Sequence, residues 1–300
     1  MSVRHKKCKR GGILILGVDL GNWNVKTSEG DIFPSRYTIV ENILGATGDV
    51  LEYEGVKYYM REGKLENNYD KANKETNLIL FLYSLALQKD RYFKAVVGLP
   101  ALAYKANRDS FKERLLNQKI HDLTINKQPK KIIIEDVIVF PEGAGAYFNL
   151  RNRPKNCVII DVGGGTINIV SFKNGKLDTC TTIGKGMIQL YNQVRDYLNS
   201  TYTLKLELED IEIIMKEGLK VDNEEISFAF IKPIINSFVS DLMNELRNFP
   251  IRTSKVLLTG GGSKLLKAPL SIIPGLEIIE DYLFSNSKGF KRVGESKWKE

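Results

Sequence analysis

A short pattern occurs twice in this sequence, and each copy consists of an apolar run, a polar turn that begins with aspartate, and a second extended segment. The first copy spans residues 13–27 and the second spans residues 157–170. Aligning Asp19 with Asp161, which are 142 residues apart, also aligns a glycine two positions later and the flanking apolar runs. Because an internal repeat reflects a repeated structural unit, the sequence predicts two similar α/β halves that face each other.

A third glycine-rich turn follows a later apolar strand, where residues 255–263 read KVLLTGGGS. Glycine turns let backbone N–H groups approach phosphate oxygens without obstruction by side chains. An aspartate at the start of a turn can hold the water shell of Mg²⁺, which binds through few carboxylates. Lys26, seven residues after Asp19, can return along the second strand to neutralise phosphate charge. The three turns therefore predict a nucleotide site; the alternative interpretation is a set of ordinary hairpins.

Composition and charge argue against several classes of protein. No apolar run approaches the roughly 18 to 20 residues that a membrane-spanning helix needs, and residues 1–10 lack the apolar segment of a secretory signal. The three cysteines, Cys8, Cys157 and Cys180, have no metal-ligand spacing, which favours a reducing cytoplasm. The net charge of +8 is concentrated in residues 1–10 and 285–300. Basic ends can be solvated tails, or they can bind nucleic acid or acidic protein surfaces. The sequence contains no motif of a DNA-binding domain.

Hydrophobic spacing along the rest of the chain predicts alternating helices and strands. Residues 45–74 are rich in glycine and charge, and we interpret their hairpin at 51–60 as an insertion on the sheet rather than part of the core. The polar, proline-containing segment 151–156 marks a boundary between the halves. The predicted helices are 77–87, 108–118, 187–198 and 231–246, and the predicted later strands are 95–100, 131–134, 137–140 and 255–259.

The order of the three turns resembles that of the actin, heat-shock chaperone and sugar-kinase superfamily, and within it the bacterial actins. Two further segments are similar to the family's inter-domain connections. Among bacterial actins, the chain most resembles the ParM-like proteins that segregate plasmids, whose Gly-Leu-Pro strand end and Pro-Glu pair have counterparts here. The matching segments, in chain order, are 19–22 with Lys26, 73–77, 98–100, 139–147, 161–166, 258–263 and 286–290.

The resemblance implies a duplicated actin-like fold of the ribonuclease H-like α/β class, in which two domains face each other across a nucleotide cleft. The first domain would span residues 1–150 plus about 280–300, with a small insertion at about 41–75. The second domain would span residues 151–280, with a reduced insertion at about 188–228.

The resemblance also implies roles for individual residues. Asp19 and Asp161 would be catalytic residues that hold Mg²⁺ through its waters, and Glu142 would orient the water that attacks the γ-phosphate. The sequence also allows an alternative role for Glu142, that of an acidic residue at the start of a helix, where the helix dipole favours a negative charge. Asn22 stands where actins often have a hydroxyl residue, and Trp23 is more typical of a packing residue than of a base-stacking one. The residues expected to contact the nucleotide are Gly21, Asn22, Trp23, Asn24, Lys26, Gly163, Gly164, Gly165, Thr166, Gly260, Gly261, Gly262 and Ser263.

The function that the resemblance implies is that of a cytoplasmic, filament-forming nucleotidase, which hydrolyses ATP or GTP with Mg²⁺ to drive plasmid DNA segregation. Its partners would be further copies of itself and a DNA-binding adaptor of the ParR type, which connects the filament to plasmid DNA; no membrane is expected to take part. The alternative within the superfamily is a small-molecule kinase of the sugar or pantothenate type. The sequence leaves open the base preference and the strand number, handedness and polarity of a filament.

Overall fold

The two halves of the chain form two α/β domains, each with its own sheet and hydrophobic core. The computed structural model describes residues 12–298 apart from residues 44, 67 and 69. The basic segment 1–10, Cys8 and residues 299–300 of the basic C-terminal end lie outside the described residues. Among the helices that are described, none has the length and apolar character needed to cross a bilayer.

The first half of the chain builds a nine-stranded sheet whose centre consists of parallel strands. The elements of this half are β1 (Leu14–Leu20), β2 (Asn24–Thr27), β3 (Ile32–Pro34), β4 (Tyr37–Thr38), β5 (Val50–Tyr53), β6 (Val56–Met60), α1 (Thr76–Ala86), β7 (Tyr92–Leu99), α2 (Tyr104–Leu115), β8 (Ile120–Ile125), β9 (Gln128–Pro141) and α3 (Ala144–Asn149). The strand order is β3-β2-β1-β7-β9-β8-β5-β6-β4. Strands β1, β7 and β9 run parallel, and burial on both faces explains their continuous apolar runs.

The second half of the chain begins with the same arrangement of strands as the first half. Its elements are β10 (Cys157–Val162), β11 (Ile167–Lys173), β12 (Lys176–Ile183), α4 (Met187–Tyr202), α5 (Leu208–Glu217), β13 (Lys220–Val221), β14 (Glu224–Glu225), α6 (Ile231–Leu246), β15 (Lys255–Thr259), α7 (Ser263–Lys267), β16 (Glu277–Ile278) and α8 (Ser285–Trp298). Strand β10 pairs antiparallel with β11 and parallel with β15, as β1 pairs with β2 and β7. This shared arrangement confirms the internal duplication predicted from the two aspartate turns.

The hairpin at 51–60 is part of the first core, so the prediction that it stands apart from the core is wrong. Strand β5 pairs with β8, and this pairing makes the hairpin part of the main sheet. Leu51 and Met60 are fully buried in the same hydrophobic cluster as the central strands. The charged residues of this segment obscured its hydrophobic pattern. Strand β5 alternates buried and more exposed positions, so only one of its faces contributes to the core.

Helix α8 brings the C-terminal part of the chain back onto the first sheet, where it packs against α3 and β1. A Cβ added at Gly289 would overlap the carbonyl of Gly145, whose carbon would lie only 2.6 Å away. A Cβ added at Gly17 of β1 would likewise lie 2.7 Å from the backbone nitrogen of Lys291. The proposed assignment of residues from about 280 onward to the first domain rests on this packing.

Helix α2 differs from its predicted limits, and helix α5 was not predicted. Helix α2 begins at Tyr104 and ends at Leu115, four residues before its predicted start and three before its predicted end. Helix α5 lies within the segment predicted to be a reduced insertion. Its buried residues, Ile211 and Ile214, are three positions apart. That spacing is the helical signal that was missed, and it is weak because the helix has only 10 residues.

We predict that Gly289→Ala destabilises the protein by roughly 1 to 3 kcal/mol or more, because backbone atoms of α3 must shift to admit the methyl group. Urea denaturation would show a lower midpoint for this variant. The matched control is Gly184→Ala, since a Cβ at Gly184 meets no atom within 4 Å. Equal midpoints for the two variants would contradict the close approach of α3 and α8.

Candidate functional site

A cleft of about 570 Å³ lies between the two sheets, within the size range of ligand pockets. Its walls are the turns that follow β1, β10 and β15, residues of α4 and α5, and the loops that precede α1 and α3. The predicted turn residues that line this cleft are Gly21, Asn22, Trp23, Asn24, Lys26, Gly163, Gly164, Gly165, Thr166, Gly260 and Gly261.

The other two predicted turn residues, Gly262 and Ser263, lie behind the cleft surface and shape the third turn. Ser263 is fully buried, and its hydroxyl donates to the carbonyl of Gly260 at 2.7 Å. Gly260 has a φ of +88°, and a Cβ there would lie 2.6 Å from Oδ1 of Asp161. Glycine is therefore required at this position both by the backbone conformation and by the approach of the carboxylate.

Three carboxylates meet at the base of the cleft, and each comes from the end of a different strand. Asp19 lies in β1, Asp161 lies in β10, and Glu142 directly follows β9. All three are buried, with between 6% and 8% of their surface exposed. Because β1 and β9 run in the same direction in one sheet, their carboxyl ends lie at the same edge, which faces the end of β10 in the other sheet. The structure thus brings together the three residues predicted to be catalytic.

Lys26 reaches the site in the way that its spacing from Asp19 predicts. The hairpin register places Lys26 of β2 directly opposite Asp19 of β1. Its Nζ lies 3.5 Å from Oδ2 of Asp19, and the side chain is only 12% exposed. A positive charge therefore lies beside the first glycine turn.

Lys71 is a site residue that the sequence analysis did not identify. Its side chain is 3% exposed, its Nζ forms an ion pair with Oε1 of Glu142, and the same Nζ lies 3.7 Å from Oδ1 of Asp19. Burial by itself favours the neutral amine, but the charges of Glu142 and Asp19 raise the pKa of Lys71 above its usual value. No local motif marks this lysine, because it lies in a charged segment before α1 and meets the carboxylates only in the folded chain.

Two buried amides fix the orientation of the carboxylates. Asn168 of β11 donates through Nδ2 to Oε2 of Glu142 at 3.0 Å. Its Oδ1 accepts from the backbone N–H of Ala101 at 3.1 Å and from Thr182, so the amide can present only its nitrogen to Glu142. Asn286 of α8 donates to Oδ2 of Asp161 at 2.8 Å. Neither amide was predicted to contact these carboxylates, because Asn168 lies 26 residues from Glu142 and Asn286 lies 125 residues from Asp161.

The contacts of Glu142 distinguish between the two roles that the sequence predicts for this residue. Helix α3 begins at Ala144 with Gly143 as its N-terminal cap, and no side chain in the described part of the chain caps it through a hydrogen bond. The Glu142 carboxylate instead engages Lys71 and Asn168 inside the cleft. These contacts favour the role in the site over that of an acid that stabilises the helix start.

Asp161 has an unusual titration behaviour in this cluster. Burial raises its pKa to about 7, and the negative charges of Asp19 and Glu142 contribute in the same direction. The hydrogen bond from Asn286 and the positive charge of Lys26 act in the opposite direction. A proton on Asp161 therefore relieves repulsion among the three acids at pH values below about 7.

The carboxylate oxygens of the cleft fit a site at which Mg²⁺ would be held through its bound waters. Within the described part of the chain, no group of three or more His, Cys, Asp or Glu side chains is arranged to bind a metal ion directly. Mg²⁺ usually binds proteins through one or two carboxylates, retains waters and bridges substrate phosphates. Asp19 and Asp161, on opposite sides of the cleft, match that requirement. In addition, Oδ1 of Asn22 is buried in the cleft wall and has no hydrogen-bond partner among the described residues, which marks a place for a polar ligand.

Trp23 connects the first turn to the second domain, which agrees with its interpretation as a packing residue. Its Nε1 donates to Oε2 of Glu212 in α5 at 2.9 Å. Its ring also meets Tyr191 of α4 edge-on, with the ring centres 5.7 Å apart. A second link across the cleft is the ion pair between Arg36 and Glu209 of α5. Helix α5 thus spans the opening between the domains.

Both halves of the chain match models of actin-like protein families. Residues 17–145 match the N-terminal domain of actin-like proteins, and residues 159–271 match the C-terminal domain of the archaeal MreB-like actin homologues. An archaeal actin homologue of Thermoplasma acidophilum is 22% identical over an alignment of 323 residues, gaps included. The alignment covers 94% of this chain and 99% of that protein.

Solved structures show the same fold. The crystal structure of an archaeal actin homologue in complex with ADP has a TM-score of 0.78 and 18% identity, covering 95% of this chain and 100% of that one. A 15-stranded ParM filament from Clostridium botulinum has a TM-score of 0.77 and 20% identity, with the same coverage. These similarities confirm the predicted two-domain actin-like fold.

We predict that Asp161→Asn removes a pH-dependent part of the folding stability. In the wild type, the folded chain holds a proton on Asp161 up to pH about 7, whereas the unfolded chain loses it near the usual value of 3.8. Between these values the folded state binds more protons, so the wild-type free energy of unfolding falls as pH rises, by up to about 1.4 kcal/mol per pH unit. The asparagine variant lacks this decline.

Urea denaturation at several pH values between about 5 and 8 would measure the difference. Asp178→Asn, an exposed position on β12, serves as the control and should keep the wild-type dependence on pH. Parallel stability curves for the wild type and Asp161→Asn would contradict the raised pKa.

Proposed function

Both halves of this chain are domains of the actin-like family, and from this premise we propose that the protein binds ATP or GTP with Mg²⁺ in the cleft, hydrolyses it, and assembles into filaments. The observation that carries this proposal is the cluster of Asp19, Glu142 and Asp161 with Lys26 and Lys71, facing three glycine turns across one cleft. Such a cluster suits the binding of a polyphosphate together with a divalent cation.

The charges of the cluster support this ligand. The three carboxylates and the two ammonium groups sum to −1 when all are ionised. A phosphate chain would therefore be repelled unless more positive charge accompanied it. Mg²⁺ would be held by Asp19 and Asp161 through its waters, and when bound it would neutralise the phosphate oxygens. The glycine turns would contribute backbone N–H groups to the same oxygens.

Glu142 is proposed to orient the attacking water. Phosphoryl transfer depends mainly on positioning and on charge stabilisation. Both oxygens of Glu142 are held by side chains, Oε1 by Lys71 and Oε2 by Asn168, so the carboxylate has a defined direction in the cleft. Each oxygen retains capacity for a further hydrogen bond, which a water molecule beside the γ-phosphate would use.

Filament assembly is proposed from the relatives. One of the similar structures is a ParM filament, and the match covers 100% of that relative's chain. We extend the proposal to a plasmid-segregating role, in which an adaptor of the ParR type would connect the polymer to plasmid DNA in the cytoplasm. The competing proposal is a small-molecule kinase, which would use the same cleft to phosphorylate a sugar or pantothenate.

We predict that Glu142→Gln lowers nucleotide hydrolysis at least about 100-fold, because the amide loses the ion pair with Lys71 that fixes the side chain and is a weaker acceptor for the attacking water. Nucleotide affinity should change little, since the phosphate-facing turns and lysines remain. Phosphate release and fluorescent-nucleotide binding would be measured in parallel. Glu135→Gln, an exposed position on β9, is the matched control. Hydrolysis by Glu142→Gln at the wild-type rate would refute the assignment.

The proposed function predicts that ATP or GTP with Mg²⁺ raises the light scattering of the purified protein, and that electron microscopy shows filaments. Slowly hydrolysed analogues should also support assembly. If neither nucleotide produces filaments and the protein transfers phosphate to a sugar or pantothenate, the kinase proposal replaces this one.

A further inference from the structure

Helix α5 belongs to the second domain, but two of its acids contact the first domain. Glu209 forms an ion pair with Arg36, which lies between β3 and β4. Glu212 accepts a hydrogen bond at 2.9 Å from the indole N–H of Trp23 in the first glycine turn. The two acids are three positions apart, so they lie on the same face of the helix. Both contacts therefore join α5 to the first domain across the opening of the cleft.

Further hydrogen bonds orient the side chains that make these two contacts. Lys216 donates to Oε1 of Glu212 at 2.8 Å, which leaves Oε2 for the indole. Nε of Arg36 donates to the carbonyl of Arg61 at 3.1 Å, and its Nη1 reaches the acid of α5. The two side chains of that ion pair are only 21% and 34% exposed, so salt screens the pair less than it screens a fully exposed one.

Within its own domain, α5 is held by a small buried surface. Two of its ten residues, Ile211 and Ile214, are buried, and the helix packs against α4. It ends at Gly218, which has a φ of +87°. Because a short helix with few buried side chains opens locally at a low free energy, the two contacts with the first domain contribute to the position of α5.

The same helix forms part of the cleft and is connected to its glycine turns. Glu212, Met215 and Lys216 line the cleft. A Cβ added at Gly164 would lie 2.6 Å from Cβ of Trp23, so the tryptophan of the first turn packs directly on the second turn. Trp23 therefore connects α5 to both of the turns that face each other across the cleft.

We propose that α5 is a gate across the cleft, which its contacts with Arg36 and Trp23 hold shut and whose opening limits the rate at which a nucleotide enters and leaves. A ligand that passes the opening must separate α5 from the first domain, because the helix spans that opening. Motions of elements that cover a site set the rates of many enzymes. This inference rests on the proposed nucleotide binding and adds to it a control of nucleotide exchange.

Glu209→Ala tests the gate, because neither Glu209 nor Arg36 is among the described residues that line the cleft. Alanine also preserves the helix. Stopped-flow measurements would use the methylanthraniloyl derivatives of ATP and GTP, each with Mg²⁺. The association and dissociation rate constants should both rise at least about three-fold, with Kd changed by less than about two-fold, as expected when a partly exposed ion pair that closes the path is lost.

A rise in the dissociation rate constant alone would indicate a lost binding contact and would overturn the gate, and unchanged rate constants would also overturn it. Arg36→Ala should reproduce the effect, and the double variant should exchange nucleotide no faster than either single variant, because all three lack the same contact. The matched control is Glu217→Ala, which removes an exposed acid from the same helix. It should keep the wild-type rate constants; equal acceleration would assign the effect to net charge and contradict the gate.

Failure of both nucleotide derivatives to bind the wild type would count against the proposed function, and a measurement without nucleotide then decides the gate. The chain has two tryptophans, so Trp298→Phe leaves Trp23 as the only indole. In that background, Glu209→Ala should raise the acrylamide quenching of Trp23 fluorescence, because opening of α5 exposes the indole, whereas Glu217→Ala should not. Equal quenching in the two variants would show that the ion pair does not hold α5 over Trp23, and the gate would be rejected.

Discussion

The buried ion pair between Lys71 and Glu142, with Asp19 close to the same ammonium group, is the interaction on which the cleft depends. Three acids at the meeting point of two sheets would repel one another, and burial would strengthen that repulsion. Lys71 and Lys26 offset most of the negative charge, and a proton on Asp161 reduces it further. Removing one partner from such a cluster leaves a buried charge uncompensated, which typically costs about 3 to 5 kcal/mol. This charge balance suits the proposed ligand, a polyphosphate that brings its own cation.

Close backbone contact gives this cluster its fixed position. Helix α8 meets α3 where Gly289 faces Gly145, and the same helix carries Asn286, which donates to Asp161. The packing of α8 thus decides where the carboxylate of the second domain lies relative to the first. Across the mouth of the cleft, α5 contacts Trp23 and forms the ion pair with Arg36. Helix α8 consequently bridges the cleft at its base, and α5 bridges it at its opening. The distance between the two domains therefore affects the geometry of the three acids.

Local sequence determined the elements of this protein that depend on neighbours along the chain. The repeated aspartate turns, the apolar central strands and the hairpin register that places Lys26 opposite Asp19 follow from hydrophobic spacing and from turn chemistry. Lys71, Asn168 and Asn286 were not recognised as partners of the three buried acids, because their contacts join residues from 26 to 125 positions apart. The membership of the 51–60 hairpin in the core was missed for a related reason, since its partner strand β8 lies far along the chain. The sequence by itself thus determined which residues bear the charges, and only the tertiary structure decided which charges meet, because burial and pairing arise when the two sheets close around the cleft.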